Sequence, residues 1–180
     1  MGEFKQLLPF GGKTFVECCV DNLLASNVDQ VVVVTGHRHR EVRDAIANRP
    51  VRFVHNADYE FGMSGSIKRG IEVLSTDVQA CLVALVDQPQ IGPNVVNQVI
   101  DAYKQIRSLV VVPHFGGRNG HPVLLDLSLR EQILSMKESE GLRQVVRANS
   151  DRLTRIESST DAVLTDFDWP DDYQRIKAQR

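Results

Sequence analysis

Two hydrophobic patterns take turns along the chain. Residues 30–35 form a β-branched run and residues 80–86 an unbroken apolar one; such runs predict strands buried on both faces. Between and after them, apolar residues recur three and four apart, the spacing of a helix with one buried face. Residues 13–26 carry Phe15, Val16, Cys19, Val20, Leu23 and Leu24 on one such face, and Thr14 with Glu17 fits a capping box. Helices are expected likewise over 38–47, from Ser64 through Leu74, over 93–106 with Pro93 in the first turn, and over 127–136 and 141–148. Short strands are expected at 51–55, 109–112, 123–125, 153–156 and 162–165, with a closing helix from Pro170. Strands alternating with helices imply a three-layer α/β domain with a mostly parallel sheet, and no repeat, linker or low-complexity stretch divides residues 1–180.

Composition narrows the function classes. Of 180 residues, 42% are hydrophobic, enough for a core, and the formal net charge of -2 gives no basic field for nucleic acid or an anionic membrane. No apolar run reaches membrane-span length and no signal-peptide layout opens the chain, so a cytoplasmic protein is expected. Cys18, Cys19 and Cys81 form no CxxC pair and read as core or near-core thiols.

Candidate chemistry gathers at loops that follow strands. Asp87 is the first residue after the run at 80–86, and Pro89 removes a backbone donor just beyond it, ending the strand. A carboxylate there faces the crevice at the strand ends, or simply occupies a turn. Gly62, Ser64 and Ser66 open a helix after a loop that starts at Asn56, which suits an anion cradle as well as a plain cap. His121 lies between Gly120 and Pro122, which fix its backbone; Asp166 and Asp168 share one side of an extended segment, where Asp168 also fits as a helix cap. Lys13-Thr14 after Gly12 is no phosphate loop, because the glycine five residues earlier is replaced by Leu7 and no strand precedes it. An H-x-H at His37 and His39 is a weak metal motif at the start of a charged helix. No Ser-His-Asp or Cys-His nucleophile set stands out; paired acids, a lysine and glycine-rich loops point to phosphoryl chemistry with a hard divalent cation.

Gln6-Leu-Leu-Pro-Phe10, Val34-Thr-Gly-His37, His55-Asn56, Gly62-Met63-Ser64, Leu85-Val-Asp-Gln-Pro89, Gly120-His-Pro122 and Asp166-Phe-Asp-Trp-Pro-Asp-Asp-Tyr173 occur in this order. In this the chain resembles the molybdenum cofactor cytidylyltransferase-like and molybdopterin-guanine dinucleotide synthase-like nucleotidyltransferases. The resemblance implies a Rossmann-like, glycosyltransferase-A-like fold and transfer of CMP from CTP, or of another nucleoside monophosphate from its NTP, to the phosphate of molybdopterin. Pyrophosphate leaves. It also implies Mg²⁺ held by Asp87 and Asp168, a catalytic Lys5, and nucleotide or acceptor contacts from Asn56, Gly62, Ser64, Ser66, Gln88 and His121. A molybdoenzyme or its chaperone would be the protein partner, and a sugar phosphate an alternative acceptor. A non-catalytic cofactor- or partner-binding relative is the competing class.

One departure is large. The family opens with a strand and a loop of the form Leu-Ala-Ala-Gly-x-Ser-x-Arg-Met-Gly, of which this chain carries only Met1-Gly2. The expectation is a fold lacking the usual first strand, with the strands at 30–35 and 80–86 left without a neighbour between them and a chain that binds NTP poorly and is inactive.

Overall fold

The computed structural model describes residues 4–137 and 141–167. Its opening residues form a single 3₁₀ turn, Lys5–Leu7, and then a hairpin of β1 (Pro9–Phe10) and β2 (Lys13–Thr14), turned by Gly11 and Gly12 at positive φ. Helix α1 (Phe15–Leu24) follows, and the expected capping box is present: Thr14 accepts from the Glu17 amide while the Glu17 carboxylate accepts from the Thr14 amide. Next come β3 (Val32–Thr35), α2 (His39–Ala45) and β4 (Arg52–His55), then α3 (Met63–Glu72) and β5 (Ala80–Val83). After α4 (Pro93–Ile106) the chain gives β6 (Val110–Phe115), β7 (Arg118–Asn119), β8 (Val123–Asp126), α5 (Arg130–Leu134), α6 (Leu142–Ala148) and β9 (Leu153–Glu157).

Apart from the β1–β2 hairpin, the strands build two sheets of the same layer. β3 and β4 pair in parallel, Val32 opposite Arg52 through Thr35 opposite His55. The larger sheet runs β5-β8-β6, with β9 parallel to β6 and β7 closing a hairpin on it. β8 is antiparallel to both its neighbours, so β5, β6 and β9 point one way.

Helix α3 shows that the two sheets are aligned. Arg52, at the start of β4, donates to the Val73 carbonyl at 2.7 Å, and Arg130, just past the end of β8, donates to the carbonyls of Ile71, Leu74 and Ser75. Asp126 at the end of β8 pairs with Ala80 at the start of β5. The carboxyl end of α3 therefore lies over the starts of both β4 and β5, and those strands run in the same direction. α3, α5 and α6 cover one face through Ile67, Ile71, Ile133 and Val145; α1, α2 and α4 cover the other. The result is the expected three-layer α/β arrangement.

Three expectations are corrected. The ladder of β5 ends at Val83, and no residue of the run 80–86 is fully buried, because its outer edge has no partner strand among the described residues. The helix at 127–136 is a 3₁₀ turn, Leu127–Leu129, followed by the shorter α5. The strand at 162–165 is a 3₁₀ turn, Asp161–Leu164, which Thr160 caps by accepting from the Ala162 amide at 3.1 Å. The closing helix from Pro170 lies outside the described residues.

Candidate active site

Asp87 lies four residues past the end of β5 at Val83, not on the first residue after the strand as its sequence suggests, in a turn that neighbouring segments fasten from both sides. Asn22 on α1 donates to the carbonyls of Pro89 (3.1 Å) and Ile91 (2.9 Å). The Cys19 thiol approaches the carbonyls of Leu85 (3.7 Å) and Val86 (3.5 Å), and burial pushes it up to about 12, with Cys18 and Asp87 adding to the shift. It stays a neutral donor, as the sequence suggested for a near-core cysteine. From the other side comes the segment 161–167. Gln90 Nε2 donates to the carbonyls of Ala162 (3.0 Å) and Thr165 (2.7 Å), Gln88 Nε2 to Asp166 Oδ1 (2.7 Å), and the Phe167 amide to the Asp87 carbonyl (3.1 Å).

His121 joins this group. Its amide donates to the Val163 carbonyl at 3.0 Å, and the bond to Pro122 is cis. Burial holds its imidazole below the usual range, against the upward pull of the Val83 carbonyl, Asp166 and Asp87. Nδ1 is buried with no hydrogen-bond partner. A neutral ring beside two carboxylates leaves the local field negative, which suits a cation or a donor-rich ligand. Gly120 is required here: a Cβ would sit 2.3 Å from the Val163 carbonyl oxygen.

A second group lies at the end of β4 and the start of α3. Asn56, 1% exposed, extends the β3 ladder through its amide to the Thr35 carbonyl (2.8 Å). Its side chain donates to Ser66 Oγ at 3.1 Å and accepts from the Asp58 amide at 3.1 Å. Gly62 is the N-cap at φ 108 with no side-chain cap, and no acidic residue stands in the first turn of α3. Ser64 is buried in that turn. The helix start is thus a partial positive charge with no built-in anion.

Both groups sit at the carboxyl ends of their strands, on opposite sides of the break between the sheets. Residues 4–8 link them. Phe4 lies edge-on to His37 just past β3 (5.9 Å), whereas Leu8 packs with Phe10, Phe15 and Phe167 next to Asp87. Lys5, half-buried, lies on this link. Of the sequence-predicted residues, Asp87, Gln88 and His121 come together with Asp166, and Asn56, Gly62, Ser64 and Ser66 form the second group. Gln88 points inward at 3% exposure, and Asp168 lies outside the described residues. The residue underweighted in the sequence is Asp166, although its spacing from Asp168 marked both. The H-x-H pair splits: His37 Nδ1 is 3.4 Å from the Tyr59 hydroxyl, while His39 stacks on His55 at 4.2 Å. Among the described residues no cluster of three or more metal-type side chains exists.

Acids beyond a strand end and a helix start without a side-chain cap, both at the carboxyl ends of strands in a Rossmann-like layering, place the candidate residues where open α/β sheets bind ligands. The chain belongs to the MobA-like NTP transferase domain family, whose profile matches residues 1–153. It is 26% identical over 182 residues to a molybdenum cofactor cytidylyltransferase of Escherichia coli K12, covering 98% of this chain and 88% of that one. It is 29% identical over 183 residues to a nicotine blue oxidoreductase of Paenarthrobacter nicotinovorans, covering 96% and 87%. Among solved structures, the manganese complex of Rv0371c from Mycobacterium tuberculosis H37Rv superposes with a TM-score of 0.85 at 22% identity, covering 98% and 92% of the two chains.

Proposed function

We propose that this nucleotidyltransferase moves CMP from CTP to the terminal phosphate of a molybdopterin-type acceptor and releases pyrophosphate. The observation that carries the reading is the fastening of the segment 165–167 to the Asp87 turn, Gln88 to Asp166 and the Phe167 amide to the Asp87 carbonyl, with His121 under the influence of both acids and the start of α3 lacking a side-chain cap at the carboxyl end of β4. Membership of an NTP transferase family and similarity to a cytidylyltransferase support the base and the acceptor.

The residues suit a divalent cation. Hard oxygen donors from Asp87, with Asp166 nearby, match Mg²⁺ or Mn²⁺, which commonly takes one or two carboxylates and fills its remaining positions with phosphate oxygens and water. When bound, the cation offsets the charge that gathers on the α-phosphate as the acceptor oxygen attacks and pyrophosphate departs. Asp87 would hold it, with Asp168 as the proposed second ligand. The amides at Gly62–Ser64 receive phosphate oxygens at the helix start, and Asn56 and Ser66 fix the nucleotide or acceptor by hydrogen bonds. Lys5 adds positive charge to the triphosphate from the link between the two groups. His121, neutral, accepts a donor from the acceptor. Gln88 acts from beneath the turn.

The test is pyrophosphate release from CTP, GTP, UTP and ATP with molybdopterin or a sugar phosphate as acceptor, with Mg²⁺, Mn²⁺ or EDTA. CTP with molybdopterin is expected to be the best pair, its turnover deciding against the expectation of a chain that binds NTP poorly, and Asp87→Asn to lower kcat by about 10²-fold or more. Release with no NTP and acceptor would sink the reading. CTP binding without turnover would instead favour a non-catalytic relative that serves a molybdoenzyme or its chaperone.

A further inference from the structure

We infer that Asp166 is a positioning residue for Asp87, acting through Gln88; this rests on the proposed role of Asp87 in holding a divalent cation. The ladder between β5 and β8 stops at Val83, so residues 84–87 carry the acid beyond the sheet with no strand beside them among the described residues. Their position depends on what the following turn is tied to. Most ties end on backbone carbonyls, and these leave side-chain rotamers free: Asn22 to Pro89 and Ile91, Gln90 to Ala162 and Thr165. Gln88 to Asp166, at 2.7 Å, joins two side chains and is charge-assisted.

A carboxylate only accepts hydrogen bonds, so Asp166 forces the Gln88 amide to present Nε2 and fixes which way it is flipped. Gln88 is 3% exposed, with Oε1 buried and without a hydrogen-bond partner; it cannot rotate to find water. The adjacent Phe167 is 3% exposed and wedged between Phe10 and Phe15, with ring centroids 6.1 and 5.6 Å away. Its amide holds the Asp87 carbonyl. The segment 165–167 is thereby a rigid strut: the aromatic cluster anchors it, and Asp166 transmits its position to the residue next to Asp87.

The test is a reversal of the pair. Gln88→Glu sets two carboxylates face to face and is expected to lower kcat about tenfold, with the KM for CTP little changed, and to weaken Mn²⁺ binding, read by electron paramagnetic resonance, by a similar factor. Adding Asp166→Asn restores a donor opposite an acceptor, and recovery of both quantities in the double variant is the expected signature. Should Gln88→Glu fail to fold, Asp166→Ala at its exposed position gives the same loss with an unchanged circular dichroism spectrum. Full Mn²⁺ affinity in Gln88→Glu or Asp166→Ala would overturn the inference, as would a double variant no better than Gln88→Glu. If the unaltered chain releases no pyrophosphate yet its Mn²⁺ affinity follows the pair as described, the proposed function falls and the positioning role stands.

Discussion

At the scale of single residues, a partly buried ion-pair group ties the segment after α2 to α1. Arg49 reaches from the end of α2 to α1, with Nε 2.8 Å from Asp21 Oδ1 and an Nη 3.2 Å from Glu17 Oε1. Hydrogen bonding to Arg49, with help from Lys13, lowers Asp21 to about 2. A carboxylate whose folded-state value is depressed stabilises the fold fully above its unfolded value of 3.8 and loses that contribution as pH falls toward about 2. Arg49→Ala is therefore expected to cost roughly 1–2 kcal/mol at pH 7. Urea titrations of both chains should show that difference shrinking between pH 4 and pH 2. A constant difference would mean that Arg49 acts by packing alone. His121 works in the same sense: its value is depressed by burial, so the neutral ring favours folding above its ordinary value and the benefit fades on acidification. Much of this scale was legible in advance. The Thr14–Glu17 box follows from spacing, as does the position of Asp87 in the turn beyond β5, whereas Asp166 was not separable from Asp168, because which of two acids meets Gln88 depends on a fold-back from residues nearly eighty positions away.

At the scale of elements, periodic segments were readable and short ones were not. Helix α4 runs over the predicted 93–106 with Val96, Val99, Ile100 and Tyr103 inward, since fourteen residues of 3.6 periodicity leave little ambiguity. The apolar stretch at 162–165 is too short for its period to be diagnostic, and tertiary hydrogen bonds decide it: the Val163 carbonyl takes the His121 amide, so it is not available to a ladder. This docking gives Gly120 its role. Gly120→Ala places a Cβ 2.3 Å from the Val163 carbonyl oxygen and 2.8 Å from its carbon, a backbone clash that no rotamer relieves. The 3₁₀ turn must move away, taking Asp166 with it. The expected cost is about 2–3 kcal/mol, with pyrophosphate release falling further than stability alone explains. A variant that melts early yet turns over at the full rate below its melting point would separate the strut from catalysis.

At the scale of the whole molecule, the central layer of the described residues is interrupted where the sequence predicts its most buried strands. β3 and β5 flank the break, and helices α1 and α3 bridge it on either face. Val16 and Val20 of α1 pack with Val33 and Val86; Ile67 and Ile71 of α3 pack with Cys81 and Val83, while Gly70 lies beside Val34. The two halves of the candidate site ride on different sheets, so their spacing is set by helix packing and by residues 4–8, not by a shared hydrogen-bond ladder. Helix packing is softer than a ladder, because side chains slide where backbone pairs hold register. β6 is the opposite case: Val110, Val111 and Val112 are at most 1% exposed, with β8 on one side and β9 on the other. Hydrogen exchange followed by mass spectrometry is thus expected to show β6 among the slowest segments and β3 and β5 exchanging well before it. CTP with Mn²⁺, by engaging the α3 start and Asp87 together, should slow exchange in β3 and β5 more than in β6. Equal protection of all three strands without ligand would mean that the sheets move as one rigid layer and that substrate does not draw the two halves of the site together.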